Sequence, residues 1–257
     1  MFLLALPATM LAGAAVAADV ALSEPPPELP QESGWTFTVA PYLWMAGIEG
    51  SIAQFGFAPV DVDASFIDIL ENFDIGAMAV AEARNGPFGI AMDLQYTKLS
   101  VEADTPLGLA AERVEVESET LTALLAGEYR IFETDAASVD LMAGGRLWSV
   151  ETTIDPRGGP ADGLFFSDGD TWVDPIVGAR GRADLSDSFY LTGWGMIGGF
   201  GVSSDFTWDV MGALGYEVTD SVSMIGGYRA LGVDYADGDF VFDVVQHGPI
   251  LGAVFRF

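Results

Sequence analysis

Phe206-Thr207-Trp208-Asp209-Val210-Met211-Gly212-Ala213-Leu214-Gly215-Tyr216-Glu217-Val218 is the stretch on which the fold turns. Successive side chains of an extended chain point to opposite faces. Phe206, Trp208, Val210, Gly212, Leu214, Tyr216 and Val218 therefore share one face, opposite Thr207, Asp209 and Glu217. Strands of soluble sheets usually run about 5–6 residues. A tilted membrane strand needs ~9–11, and this apolar face is that long.

The same alternation recurs along the chain. Trp35, Phe37, Val39, Pro41, Leu43 and Met45 oppose Thr36 and Thr38; Phe88, Ile90, Met92, Leu94 and Tyr96 oppose Asp93, Gln95 and Thr97. Leu121, Ala123, Leu125, Gly127, Tyr129 and Ile131 oppose Thr122, Glu128 and Arg130, and Val139, Leu141, Ala143, Gly145 and Leu147 oppose Asp140 and Arg146. Val173, Pro175, Val177, Ala179, Ala183 and Leu185 oppose Asp174, Arg180, Arg182 and Asp184. Two stretches break the rule. Met78 and Val80 share parity with Glu82, and Ile225, Leu231 and Val233 share it with Arg229. A bulge or an apolar patch on the inner face accounts for either.

The connections between these segments alternate in length. Tight turns are expected at Arg84–Pro87, Glu133–Ala137, Ser186–Ser188 and Thr219–Ser221. Longer or more acidic connections lie between them, at Gly47–Asp74, Ala103–Glu112, Asp155–Asp170, Ser203–Asp205 and Ala236–Asp239. Short turns on one side and longer loops on the other is the plan of outer-membrane barrels. The reading is all-β: a transmembrane antiparallel up-and-down barrel over 34–257, of about ten strands, an even number as such barrels require. Eight or twelve are the alternatives, since Gly50–Val62 is able to pair as extra strand. Phe66, Ile69, Leu70 and Phe73 have helical spacing, which predicts a short amphipathic helix in the first long loop, packed on the barrel mouth.

Composition agrees. Half of the 257 residues are hydrophobic and 19% are charged, with 31 glycines. After the N-terminus no apolar run reaches the roughly 18 residues of a membrane helix. Phe2–Val16 is apolar and Ala15-Val16-Ala17 is an A-x-A-like cleavage signal, although no Lys or Arg precedes it. A cleaved export signal over 1–18 is expected, followed by a Pro-rich, acidic periplasmic tail over 19–33. The formal charge of −28, from 10 basic and 38 acidic residues, argues against a nucleic-acid partner, which needs clustered Lys and Arg. It also argues against electrostatic attachment to an anionic membrane surface. Contact with outer-membrane lipid must rest on apolar area. The chain has no cysteine, hence no thiolate metal site and no disulfide framework.

Pro249, Leu251, Ala253, Phe255 and Phe257 alternate with Gly248, Gly252 and Arg256 at the C-terminus. A last strand with Phe255 and Phe257 resembles the signal of bacterial outer-membrane proteins, which implies the barrel-assembly machinery as a partner. A finer resemblance lies at the other end. Gly34-Trp35-Thr36-Phe37, Pro41-Tyr42-Leu43-Trp44-Met45-Ala46-Gly47-Ile48-Glu49-Gly50, Pro59-Val60-Asp61-Val62 and Ile67-Asp68-Ile69-Leu70-Glu71-Asn72 together resemble a family of proteobacterial outer-membrane β-barrel proteins. That resemblance implies an integral outer-membrane location and no particular activity.

Glu82, Arg84, Asp93, Glu128, Arg130, Asp140, Arg146, Asp174, Arg180, Arg182, Asp184, Asp209, Glu217 and Arg229 fall on the inner parity of the proposed barrel. Arginine's planar fork suits buried carboxylates, and unpaired charges inside a narrow bore are costly. A lumen filled by salt bridges is the main reading, and a polar path for solutes the alternative. Tyr42, Trp44, Trp148, Trp172 and Trp208 lie toward the long-loop ends of strands, and Tyr129, Phe132, Tyr190, Tyr216, Phe255 and Phe257 toward the other. They are expected to form two interfacial belts.

Acids crowd the long loops, where oxygen ligands suit divalent cations such as calcium. Asp234-Tyr235-Ala236-Asp237-Gly238-Asp239 has alternating acids but lacks the distant Glu of an EF-hand, so a solvated acidic turn is the stronger reading. His247 is the only histidine. A lipid-modifying hydrolase would need a serine, Ser203 or Ser223, beside it, and no G-x-S-x-G motif is present. These residues call for no cofactor. The function expected is that of a non-enzymatic outer-membrane barrel, structural or a narrow pore weakly favouring cations. The alternatives are a His247 hydrolase and a surface receptor or adhesin acting through its acidic loops.

Overall fold

The computed structural model describes residues 34–104 and 111–257. The expected signal over 1–18, the tail over 19–33 and residues 105–110 of the second long connection lie outside the described residues. The elements are β1 (Trp35–Trp44), β2 (Gly47–Ala53), β3 (Val60–Ala64), α1 (Phe66–Glu71), β4 (Phe73–Asn85), β5 (Phe88–Asp104), β6 (Arg113–Glu133), β7 (Ala137–Arg157), a 3-10 turn (Gly159–Ala161), β8 (Phe166–Asp184), β9 (Phe189–Gly198), β10 (Phe206–Thr219), β11 (Val222–Asp237) and β12 (Phe240–Arg256).

Ten strands, β1 and β4 to β12, follow one another around an antiparallel barrel that β1 and β12 close. Closure pairs the strands on both edges around the inner part of the wall, which is what an apolar membrane demands of a sheet. The short turns are built as their residues dictate. Gly86 takes φ +56°, the sign a primed two-residue hairpin turn needs, and Pro87 fixes the second position. Phe257 adds two backbone bonds at the closing seam: its N–H donates to the Phe37 carbonyl at 2.8 Å and its carbonyl accepts from the Phe37 N–H at 3.1 Å.

The first long loop holds the two remaining strands. One edge of β12 is divided between two partners: β1 takes its inner half, from Arg256 to Ile250, and β2 its outer half, from His247 to Val241. The Met45 N–H donates to the Pro249 carbonyl at 2.9 Å and carries the pairing across the break. β3 folds back on β2, so the extra strands extend the wall outward without raising the count around it. α1 follows beside them. Ser65 caps it: the Asp68 N–H donates to the Ser65 hydroxyl at 3.4 Å, and the Asp68 carboxylate accepts from the Ser65 N–H at 2.9 Å. This is a capping box with Asp in the place of Glu.

The outward face is apolar. Leu43, Ile90, Leu125, Leu141, Val173, Val210, Leu214 and Leu251 all point out and are exposed. Soluble monomers rarely expose contiguous apolar patches beyond a few hundred Å², and a closed wall with such a girdle is built to face lipid. No helix among the described residues is long and apolar enough to cross a membrane.

The two irregular stretches are explained by an apolar patch on the inner face. Met78 and Val80 pack against the buried cluster that includes Ile225, Leu231 and Val233. The bulges fall elsewhere, between Phe73 and Ile75, between Arg130 and Phe132, and between Glu217 and Thr219.

The expected belts need correction. Tyr42, Trp44, Trp148, Trp172 and Tyr190 face the lumen and are buried. The reason is parity. Trp148 stands two residues from Arg146 and Trp172 two from Asp174, so each shares the inner face with a charge. Tyr129, Phe132, Tyr216, Phe255 and Phe257 are exposed on the outer face, where interfacial aromatics belong.

Candidate functional site in the barrel lumen

Side chains that reach across the bore divide the lumen into layers. Outermost is an aromatic layer. Trp172 of β8 stacks on Tyr235 of β11 with centroids 3.9 Å apart and planes 2° from parallel. Trp148 of β7 lies parallel to Trp172 at 5.8 Å, and its edge meets Phe242 of β12 at 6.1 Å. β7 and β12 stand on opposite sides of the ten-strand ring, so these rings span the opening. The Tyr235 hydroxyl donates to Asp170 at 2.7 Å. The connection from Gly199 to Asp205 fills the low side between β9 and β10, and its Ser204 is fully buried.

Beneath lies a compact ionic layer. Arg229 donates to Asp93 at 2.6 Å, to both oxygens of Asp209 at 3.1 and 2.6 Å, and to the Tyr42 hydroxyl at 2.8 Å. Arg146 reaches Asp209 at 2.5 Å, and the Trp194 indole donates to Asp209 at 2.9 Å. Tyr42 in turn donates to Asp93 at 2.7 Å. These residues come from β1, β5, β7, β9, β10 and β11, so the layer ties the barrel together across its width. The Arg229, Arg146 and Asp209 side chains are at most 1% exposed.

A cavity of about 210 Å³ separates this layer from an inner one. There Arg180 of β8 crosses to Glu82 of β4 at 2.5 Å and stands 3.6 Å from Glu128. Arg84 pairs with Glu82 at 2.7 Å, Glu128 at 2.8 Å and Asp140 at 3.0 Å. Arg130 pairs with Asp140 at 2.9 Å. Arg182 pairs with Asp184 at 2.8 Å and Glu217 at 2.7 Å, and stacks on the Tyr190 ring at 3.6 Å.

Thirteen of the fourteen inner-face residues singled out from sequence form ion pairs with one another; the departure is Asp174. Asp174 has no arginine partner among the described residues. It accepts from the Ser204 N–H at 2.8 Å, the Ser204 hydroxyl at 2.7 Å and the Trp172 indole at 3.2 Å. Arg146, across the ladder from Asp174, turns to Asp209 instead. Sequence reasoning missed Tyr42, Trp194, Ser204 and Arg256 as members. Arg256 faces inward 3.4 Å from Glu217, and its parity opposite Phe255 and Phe257 was the available signal.

Neither serine reaches His247. Ser223 is buried in the lumen against the Tyr190 hydroxyl at 2.8 Å, and Ser203 donates to the Val173 carbonyl at 2.9 Å. His247 lies outside the barrel, its Nδ1 2.6 Å from the Tyr228 hydroxyl and its Nε2 3.8 Å from Glu49. Among the described residues no three acids or histidines converge as metal ligands. Outside the membrane-spanning strands, the hydroxyl and N–H of Ser65 hold the Asp68 carboxyl below the usual carboxylate range.

No protein-family model matches the chain, and no curated protein matches it in sequence. Solved structures do. The outer-membrane protease OmpT of Escherichia coli superposes with a TM-score of 0.58 at 10% identity, over 88% of this chain and 97% of that one. A major outer-membrane protein of Thermus thermophilus covers 87% of this chain and 99% of its own at 16% identity, with a TM-score of 0.40. Ail, the attachment invasion locus protein of Yersinia pestis, covers 88% and 100% at 11% identity, with a TM-score of 0.37. The likeness is one of fold: the chain has the fold of an integral outer-membrane β-barrel.

Proposed function

We propose that this chain is a non-enzymatic outer-membrane barrel with a sealed lumen, a structural element of that membrane. One observation carries the reading: side chains from strands three to five places apart around the ring meet in the bore at two successive levels. Trp148 meets Phe242, and below them Arg229 and Arg146 share Asp209. Small barrels are filled by side chains, whereas porins of about 16 strands leave a channel. The resemblance of Pro41–Gly50 and Ile67–Asn72 to proteobacterial barrel proteins supports the location. The separation of His247 from Ser203 and Ser223 supports the absence of serine hydrolase chemistry.

The test is a planar-bilayer recording on the purified, refolded protein. A silent parent is expected. Stable conductance steps in the parent would overturn the sealed-lumen reading.

A further inference from the structure

Pairing between β1 and β4 runs only from Trp35↔Asn85 to Pro41↔Ala79. The chain then follows β12 into β2. Beyond that point Tyr42, Leu43, Trp44, Met45 and Ala46 line a single cavity of about 340 Å³. Alternate members of that run point to opposite faces of the wall. Among the described residues β4 from Phe73 to Met78 pairs only with β5, so the wall is open along that edge. The cavity therefore joins the outer lumen to the outward surface, where Leu43 is 69% exposed.

The lining divides chemically. At the seam it is hydrocarbon and ring: Ile69 and Leu70 of α1, and Phe73 at the start of β4. On the lumen side it is polar but uncharged, with Gln95, Thr120, Thr122 and Gln246. Thr122 is 3% exposed, and its hydroxyl has no hydrogen-bond partner among the described residues. A buried hydroxyl without a partner is costly and rare. In a chain with 38 acids, no charged side chain among the described residues lines this space. Its volume is that of a ligand pocket.

We propose that the seam is a lateral site for a neutral amphiphile: an uncharged hydrogen-bonding head, such as an alcohol or amide, on a hydrocarbon tail. The head meets Thr122 and its polar neighbours, and the tail leaves between α1 and β1 into the bilayer. A phosphate or carboxylate head would find no cation at this place. Lipid is as apolar as the cavity, so the tail contributes no preference over the bilayer. The head does, by one hydrogen bond, an enrichment of about fivefold.

The experiment uses the refolded full chain in phosphatidylcholine vesicles and a dodecanol carrying a photoreactive diazirine in its tail. Adducts are mapped by peptide mass spectrometry. About fivefold more labelling is expected on residues 42–46 and 66–73 than on the outward face of 206–218, the excess that one hydrogen bond gives. The same probe as an alkane, or as a carboxylate at alkaline pH, should show no such excess. Thr120→Trp fills the cavity and should abolish the excess. Thr122→Val is nearly isosteric, keeps the fold where the larger change fails, and should lower the excess to the alkane's level. Even labelling by the alcohol, an excess that survives Thr122→Val, or stronger seam labelling by the carboxylate would overturn the proposal.

Discussion

Asp209→Asn is the sharpest perturbation of the lumen. The Asp209 carboxylate accepts from Arg146 at 2.5 Å, from Arg229 at 3.1 and 2.6 Å and from Trp194 at 2.9 Å. Its layer holds two guanidiniums, Arg146 and Arg229, against two carboxylates, Asp93 and Asp209. Asparagine keeps the shape and one acceptor but leaves two buried cations with one carboxylate, and its NH2 turns donors toward donors. Arg146 loses its sole carboxylate partner among the described residues, and its Nη1 is unpartnered already. Breaking a buried pair costs about 3–5 kcal/mol, against at most ~1 kcal/mol for an exposed one. Urea unfolding in lipid vesicles, read by heat-modifiable mobility, should show that loss. Arg146→Met combined with Asp209→Asn restores one cation to one carboxylate and should recover much of it. A single-variant cost within the exposed-pair range, or a double variant that merely sums two losses, would refute the charge-balance argument.

Trp172→Ala removes the ring that stacks on Tyr235 and meets Trp148. This opens only the outer of the two levels, so the single variant should stay silent while Arg229, Arg146 and Asp209 close the bore beneath. Trp172→Ala combined with Arg229→Ala should give small steps favouring cations, because acidic loops concentrate cations at the mouth; steps from the single variant or anion preference in the double one would refute the reasoning. The Asp68 carboxyl, held low first by the Ser65 hydroxyl, should titrate by carboxylate NMR below an ordinary Asp at ~3.9. A depressed folded pKa means that its capping contribution to α1 is present above the unfolded value and lost as pH falls through the folded one; a midpoint at or above the ordinary value would count against the capping box. Phe257→Ala retains both backbone bonds to Phe37 and should leave the refolded barrel nearly as stable while lowering outer-membrane levels under limiting expression; unchanged levels would remove Phe257 from the assembly signal.

The wall was legible in the sequence because strand parity is a local property. Phe206–Val218 shows its outer face without knowledge of any neighbour, and the alternating turn lengths count the strands. The lumen was legible only as a set of inner-face residues, because the depth at which two of them meet depends on the stagger accumulated around the ring. Arg146 and Asp174 face each other on adjacent strands, yet Arg146 reaches Asp209, three strands away around the ring, and Asp174 takes Ser204. No local pattern discloses that exchange. The aromatic belts failed for a different reason: position along the strand was given more weight than parity. Trp148 and Trp172 sit where interfacial tryptophans sit, but on the inner face, and a narrow bore makes them partners across it. Met78, Val80, Ile225, Leu231 and Val233 looked irregular for the same cause. An inner face is polar where water fills it, and here apolar side chains and rings share it with paired charges. The irregular segments were therefore the sequence's own sign of an inner face that carries apolar side chains as well as charges.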